Sequence, residues 1–332
     1  THRPTDDRLK RKSARRLSHL VQLLLYSNES SCTACKKAKA MTDYVKFFRE
    51  TSPYINRHRG KTFVIALPGE AICQANFTHI IHDIALLNSL GMRIVLVHGA
   101  RPQLEQRLAQ HQLSLNYADH TPVTDSQAME CVKDAVGSVR ISIEALLSMG
   151  LANSPMHGAR IRVVGGNFIT AKPFGIRAGI DFQYSGEVRK IDRAGIQSQL
   201  DDDAIVLLSS IGYSPTGEAF NLSYEDVATQ AAITLGAEKL IFLGAEPGLS
   251  DSNDRLIKSI NLSQAQQLLE KREELALFGA LQGAYQACLS GVPRCHLISY
   301  CADGALLGEL FTRDGTGTLV LKHSEQVIRQ AS

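Results

Sequence analysis

The residues able to do chemistry fall into two groups separated by most of the chain. The first is a pair of small-residue turns, Pro68-Gly69-Glu70 and Gly99-Ala100-Arg101-Pro102, each placed directly after an apolar run. Glycine lets backbone N–H groups approach a ligand closely, and Arg101 adds a cation suited to a carboxylate, so the turns fit a small anionic molecule. Simple solvation of Arg101 is the equal alternative. His98 precedes the second turn, where a histidine capping the turn is commoner than a catalytic base. The second group is Glu309 with the loop Gly315-Thr316-Gly317 and, earlier, His296. Composition alone makes that loop a turn before a last strand and Glu309 a solvated helix residue. Cys32 and Cys35 form a CxxC, but zinc needs four ligands and no second pair lies at finger spacing, so no metal is expected there.

The first group is positioned by a strand, a helix and a second strand. Thr62 to Leu67 is apolar, Phe77, Ile80, Ile81, Ile84 and Leu87 recur at helical spacing between Asn76 as N-cap and Gly91 as stop, and Arg93 to His98 is apolar again. Such a βαβ unit implies a parallel sheet covered on both faces, with its ligand crevice at the carboxyl ends of the strands, where both turns lie. The pattern predicts further strands at Arg160 to Val164, Val188 to Ile191, Ala204 to Ser209, Lys239 to Leu243, His296 to Ser299 and Thr318 to Leu321. Gly212 to Gly217 is turn-rich. Helices are expected from Ser223 to the stop at Gly236, to Glu270 behind a Ser263/Gln266 capping box, from Leu275 to Leu289, and over Leu306 to Phe311. Ahead of the first strand, Tyr44, Phe47, Phe48 and Ile55 make one apolar stripe, which packs on its own domain or on a neighbouring subunit.

The chain has 332 residues, 44% of them apolar, enough to bury a substantial core. The run from Leu20 to Leu25 is far too short to span a bilayer, and no secretory signal is read. The seven cysteines are odd in number and scattered, which suits a reducing compartment, so a cytoplasmic location is expected. The Asn76, Asn221 and Asn261 glycosylation triplets are then without consequence.

The net charge of +3 is misleading, because residues 1–40 hold 10 of the 36 basic residues and 3 of the 33 acidic ones. The remainder carries −4, which gives no electrostatic reason to expect nucleic acid. The basic tail reads as a nucleic-acid arm, an organelle-targeting remnant weakened by Asp6, Asp7 and Glu29, or sequence ahead of the true start. The last is favoured, since Met41-Thr42-Asp43 opens an amphipathic helix.

The segments Phe63-Val-Ile-Ala-Leu-Pro-Gly-Glu-Ala71, Val97-His-Gly-Ala-Arg-Pro-Gln103, Phe220-Asn-Leu-Ser-Tyr-Glu-Asp-Val-Ala228 and Leu235-Gly-Ala-Glu-Lys-Leu-Ile241 together resemble the amino-acid kinase fold. Within it, the resemblance is to the bacterial N-acetylglutamate synthases. His296-Leu-Ile-Ser-Tyr300 and the run from Asp303 through Gly315-Thr-Gly-Thr318 are similar to the signature of the arginine-inhibited members. The resemblance covers residues 41–332 and implies an α/β, three-layer αβα sandwich with a mainly parallel central sheet. It divides the chain into the tail (1–40), a leading helix (41–58), the kinase-like domain (59–326) and the start of a linker (327–332) to an acetyltransferase domain that the chain lacks.

The resemblance also assigns roles. The kinases stabilise the migrating phosphoryl group with two lysines, and here those positions resemble Ala66 and Ala280. Glu225 takes the place of the organising aspartate, and Asn221 keeps that of the ligand-binding asparagine. Gly244-Ala245 replaces a hydroxyl and a carboxylate near the nucleotide, Pro122 replaces an arginine, and Pro68 replaces a glycine N–H. With Gly69, Gly99 and Arg101, these residues make a vestigial pocket with no catalytic residues. The resemblance places L-arginine, as inhibitor, among Tyr44, His296, Glu309, Gly315 and Gly317. It further implies a homo-oligomer, with acetyl-CoA as a substrate of the longer enzyme, no cofactor in this chain and no membrane partner. The alternative is an active phosphotransferase on an acylated amino acid.

Overall fold

The computed structural model describes residues 45–46, 49–118, 121–149, 158, 161–270 and 277–322. The readings for residues 1–44, Phe47, Phe48, the start of the helix at Leu275 and 327–332 lie outside the described residues. Two compact units divide the chain, Thr1–Pro53 and Tyr54–Ser332. In the first, residues 45–46 and 49–53 are helical; in the second, helix covers 54–58 ahead of the sheet.

The second unit begins with β1 (Thr62–Leu67), the short helix α1 (Gly69–Ile72), α2 (Phe77–Ser89), β2 (Arg93–His98), α3 (Arg101–Gln110), the antiparallel pair β3 (Asn116–Ala118) and β4 (Thr121–Val123), and α4 (Ser126–Leu147). There follow β5 (Val163–Val164), β6 (Ile169–Pro173), the paired β7 (Ile176–Arg177) and β8 (Ile180–Asp181), β9 (Gly186–Ile191), α5 (Arg193–Asp201), β10 (Ile205–Ser209), β11 (Ile211–Tyr213) and β12 (Ala219–Asn221). The last stretch holds α6 (Tyr224–Leu235), β13 (Lys239–Gly244), β14 (Ser259–Asn261), α7 (Leu262–Glu270), α8 (Phe278–Leu289), β15 (Arg294–Ser299), α9 (Ala305–Phe311) and β16 (Thr318–Leu321).

Eight strands form the main sheet in the order β14-β16-β15-β13-β1-β2-β10-β5. All neighbours run parallel except β15 and β16. β1 explains the layering: Phe63, Ile65 and Leu67 face one core, while Val64 and Ala66 face the other. With period two and both faces apolar, such a strand is stable only between two helical layers. α2 and α4 supply one layer through Ile81, Ile84, Leu87, Ala135, Val139 and Ile143. α6 and α8 supply the other through Val227, Ala231, Leu281, Ala284 and Ala287. Each large side chain so buried contributes roughly 1.5–3 kcal/mol. The chain is thus an αβα sandwich with a mainly parallel sheet.

Several expectations are corrected. Of the strand read at Arg160 to Val164, Val163–Val164 pair with Ile205 and Val206, residues 161–162 precede the strand, and Arg160 lies outside the described residues. Of the turn-rich Gly212 to Gly217, Ser214 to Gly217 do form the turn, while Gly212 and Tyr213 belong to β11, whose antiparallel pair with β12 joins β6 and β9 in a second, four-stranded sheet. α7 is capped two residues earlier than read: Asn261 Oδ1 accepts from Gln264 N, and Gln264 Oε1 accepts from Asn261 N. Asn76 does not cap α2 through its side chain; its Nδ2 donates to the Tyr300 carbonyl instead. α3, α4 and α5 have no counterpart in the sequence reading. α4, 22 residues long, is started by Asp125, whose side chain accepts from Ala128 N.

Candidate functional site

At the carboxyl ends of β1 and β2 the two turns pack face to face. A Cβ on Gly69 would lie 2.7 Å from Arg101 N and 2.8 Å from Pro102 Cδ, so only glycine permits this approach. A Cβ on Gly99 would lie 3.0 Å from Tyr224 Cδ1 and 3.3 Å from Gly69 N, which sets the Tyr224 ring over both turns. Ala66 and Ala280 are buried in the same apolar layer. Glu225 reaches the first turn of α8, since a Cβ on Gly279 would sit 3.2 Å from Glu225 Oε1. The Ser223 hydroxyl donates to Glu225 Oε2 at 2.5 Å.

The local field is acidic. Burial pushes the Glu225 carboxyl up and Glu70 adds to the effect, while Tyr224 is driven well up by burial and by Glu225 and Glu70. Asn221 Nδ2 donates to Thr124 Oγ1 at 3.0 Å, and Ser185 joins Thr124 to the Pro122 carbonyl, so Asn221 ties β12 to the end of β4. Leu277 fills the space beside Gly244. Arg101 is exposed and paired with Glu105 at 3.1 Å, which favours its solvation over a grip on a ligand. The structure therefore brings Gly69, Gly99, Tyr224 and Glu225 together, with Ala66 and Ala280 lining the adjoining core, and leaves Arg101 at the edge.

His98, at the end of β2, is fully buried. Its Nδ1 donates to the Gly99 carbonyl at 3.2 Å, which leaves Nε2 to accept from the Ser209 hydroxyl at 2.8 Å. Burial holds its pKa down at about 4, so it is a neutral turn-fastening residue.

The second group lies toward the other end of the sheet, near the starts of β13 and β15. Lys239 is the first residue of β13 and His296 the third of β15, and both are buried. His296 Nε2 accepts from Lys239 Nζ at 3.2 Å, and His296 Nδ1 donates to Glu309 Oε1 at 2.6 Å. The other carboxylate oxygen of Glu309 accepts from Thr316 N and, at 2.9 Å, from Gly317 N. Glu309 is therefore no solvated helix residue: its side chain is 5% exposed. The network ties α9 to the loop before β16.

Its protonation states follow from the geometry. Burial, then Lys239, holds His296 down at about 4, so the ring is neutral and its single N–H points at Glu309. Burial alone would raise Glu309; the His296 hydrogen bond and the Gly317 and Thr316 N–H groups outweigh it and hold the carboxyl at about 2. Burial, reinforced by Arg294, brings Lys239 down to about 8. Two glycines permit the closure. Gly315 has φ +61°, and a Cβ there would meet Glu309 Oε2 at 2.6 Å, while a Cβ on Gly317 would collide with the Leu297 carbonyl. Lys258 Nζ donates to the Gly315 carbonyl at 3.1 Å.

The structure thus joins His296, Glu309, Gly315 and Gly317. Lys239 escapes sequence reasoning, although a lysine opening the apolar run Lys239 to Leu243 is a signal of a buried charge needing a partner. His58 is also missed: it is buried, with Nε2 3.4 Å from the Leu310 carbonyl and its ring edge-on to Phe63. Among the described residues, no group of three or more His, Cys, Asp or Glu could hold a metal ion. No helix among them is long and apolar enough to cross a membrane.

Comparison with known proteins agrees with this architecture. Residues 61–299 match the model of the amino acid kinase family. An amino-acid acetyltransferase of Azotobacter vinelandii is 56% identical over 292 residues, covering 88% of this chain and 68% of that protein. One from Pseudomonas aeruginosa is 54% identical over 291 residues, covering 88% and 67%. Among solved structures, N-acetylglutamate synthase from Neisseria gonorrhoeae, in complex with coenzyme A and N-acetyl-glutamate, superimposes with TM-score 0.78 at 35% identity, over 85% of this chain and 64% of that one. The same enzyme with coenzyme A and L-arginine gives TM-score 0.77, over 84% and 66%. A carbamate kinase from Giardia lamblia, at 18% identity and TM-score 0.58, shares the fold.

Proposed function

Because the chain belongs to the amino acid kinase family, and to the family of the amino-acid acetyltransferases, we propose that it is the arginine-sensing, self-associating part of an N-acetylglutamate synthase. In this reading the longer enzyme transfers the acetyl group of acetyl-CoA to the amino group of L-glutamate in the cytoplasm, the first step of arginine synthesis. Acetyl transfer belongs to the remaining third of such a protein, and L-arginine inhibits it by binding here. The kinase-like crevice performs no phosphoryl transfer.

The observation that carries this reading is Glu309, a buried carboxylate fastened to two backbone N–H groups and a neutral histidine. A guanidinium offers up to five donors in a rigid plane and can replace both N–H groups at one carboxylate edge. Such a ligand would release the Gly315 to Gly317 loop, converting binding into a change of loop position. In the crevice, by contrast, alanines occupy the positions of both cations and Glu225 stands in an acidic field, which leaves developing phosphoryl charge unstabilised.

The test is a thermal-shift titration with L-arginine beside an assay of ADP release with ATP, magnesium and N-acetylglutamate. A rise in Tm with arginine, lost in Glu309→Gln, and no ADP above background is the expected outcome. ADP release abolished by Asn221→Ala would establish the phosphotransferase reading instead.

A further inference from the structure

One buried pair of nucleophiles takes no part in either site. Cys288, near the end of α8, and Cys295, second in β15, are both without solvent exposure, and their sulfurs lie 3.3 Å apart. The Cys288 sulfur also lies 3.4 Å from the Val320 carbonyl on β16. Only the turn from Ser290 to Pro293 separates α8 from β15, with Gly291 at φ +106°. A disulfide needs a sulfur separation of about 2.05 Å, so the atoms must close by roughly 1.3 Å, within reach of small side-chain rotations.

We propose that Cys288 and Cys295 are a redox-modification site, a dithiol that hydrogen peroxide converts to an intramolecular disulfide tying the end of α8 to β15. Three features favour this over plain packing. The sulfurs already face each other, so the second thiol needs no diffusion to meet the first. The surrounding core of Ala287, Val292, Leu297 and Val320 is apolar, and a small uncharged oxidant enters it at far lower cost than a charged one. The Cys295 sulfur beside it lowers the Cys288 pKa, whereas burial pushes Cys295 up, which casts Cys288 as the attacking sulfur and Cys295 as the resolving one.

The Cys288 thiolate attacks one peroxide oxygen, the O–O bond breaks, and a sulfenic acid and hydroxide result. The Cys295 sulfur then displaces hydroxide from the sulfenic sulfur and the S–S bond forms. The two sulfurs lose two electrons to the peroxide oxygens, and both thiol protons leave in two waters. Because Cys295 adjoins His296, and Val320 lies on the strand entered from the Gly315 to Gly317 loop, the new bond would stiffen the floor under Glu309.

The test is peptide mapping of the full chain after treatment with hydrogen peroxide, denaturing alkylation and tryptic digestion. Cleavage after Arg294 puts the two cysteines on different peptides, so a pair joined with the loss of two hydrogens reports the bond. Cys301 shares a peptide with Cys295, so the mapping is repeated in Cys301→Ser, where the joined pair is expected to persist. It is expected to vanish under dithiothreitol and in Cys288→Ser. Recovery of both cysteines as alkylated thiols in the unsubstituted chain, while the exposed Cys73 or Cys301 has been oxidised, would overturn the proposal without bearing on arginine binding. So would a joined pair that disappears in Cys301→Ser.

Discussion

The two ends of the main sheet treat buried polarity in opposite ways. At the carboxyl ends of β1 and β2, polar groups are fastened one by one, Asn221 to Thr124 and His98 to Ser209, around an acidic centre. Near the starts of β13 and β15, Lys239, His296, Glu309 and two backbone N–H groups make one continuous hydrogen-bonded chain. Unpaired buried charge is expensive, and a network repays its desolvation only when complete. The contrast teaches where a complete network offsets the desolvation of charge and where single fastenings suffice. At the crevice Tyr224 packs against Gly99, Leu277 fills the space beside Gly244, and Ala66 and Ala280 line the adjoining core, whereas the far end holds a lysine and a carboxylate in a dry setting.

The contrast can be broken at either end. The largest effect is expected from Gly317→Ala, whose new methyl meets the Leu297 carbonyl of β15; a loss of about 3 kcal/mol or more should show as a lower urea midpoint. Glu309→Gln keeps the shape but removes the charge that faces His296 and the two N–H groups, and should cost about 2–4 kcal/mol. Glu225→Gln at the crevice should change stability by less than about 1 kcal/mol, because burial already disfavours that charge. A loss from Glu225→Gln equal to that from Glu309→Gln would erase the distinction.

Acid sharpens it less specifically, because buried neutral histidines sit at both ends. His58, His98 and His296 are all held at about 4, each chiefly by burial, against 6.5 for the free side chain. Between those values the unfolded chain binds more protons, so their contribution is complete above about pH 6.5 and lost as pH falls toward 4. Tm should therefore drop steadily over that interval, and His98→Gln should flatten the slope. The smallest effect is local: Asn261→Ala should cost about 1 kcal/mol and Ser263→Ala almost nothing, as the observed cap requires.

The sheet was legible because its strands are buried on both faces and read as unbroken apolar runs, from Thr62 to Leu67 and Arg93 to His98. α4 was not. Its stripe of Ala128, Val132, Ala135, Val139 and Ile143 is diluted by small residues, and its cap at Asp125 falls in a segment read for ligand contacts. Of the second sheet only β9 was read, at Val188 to Ile191; the other strands, of three to five residues, are too short to carry a period. At the candidate sites, the Gly69 and Gly99 turns could be named from residue type, whereas Glu309, Gly315 and Gly317 were named by resemblance, their types alone fitting a turn and a solvated helix residue. Partners could not, because the Lys239 to His296 contact spans 57 residues and depends on strand order.

Glu309 is occupied before any guest arrives. Under the proposed function, its grip on Thr316 and Gly317 makes a visiting cation wait for those bonds to break, so the speed of capture is set by the protein and not by collision. Mixed rapidly with increasing guest, the chain would respond at a rate that climbs and then levels off at the opening frequency of the Gly315 to Gly317 loop.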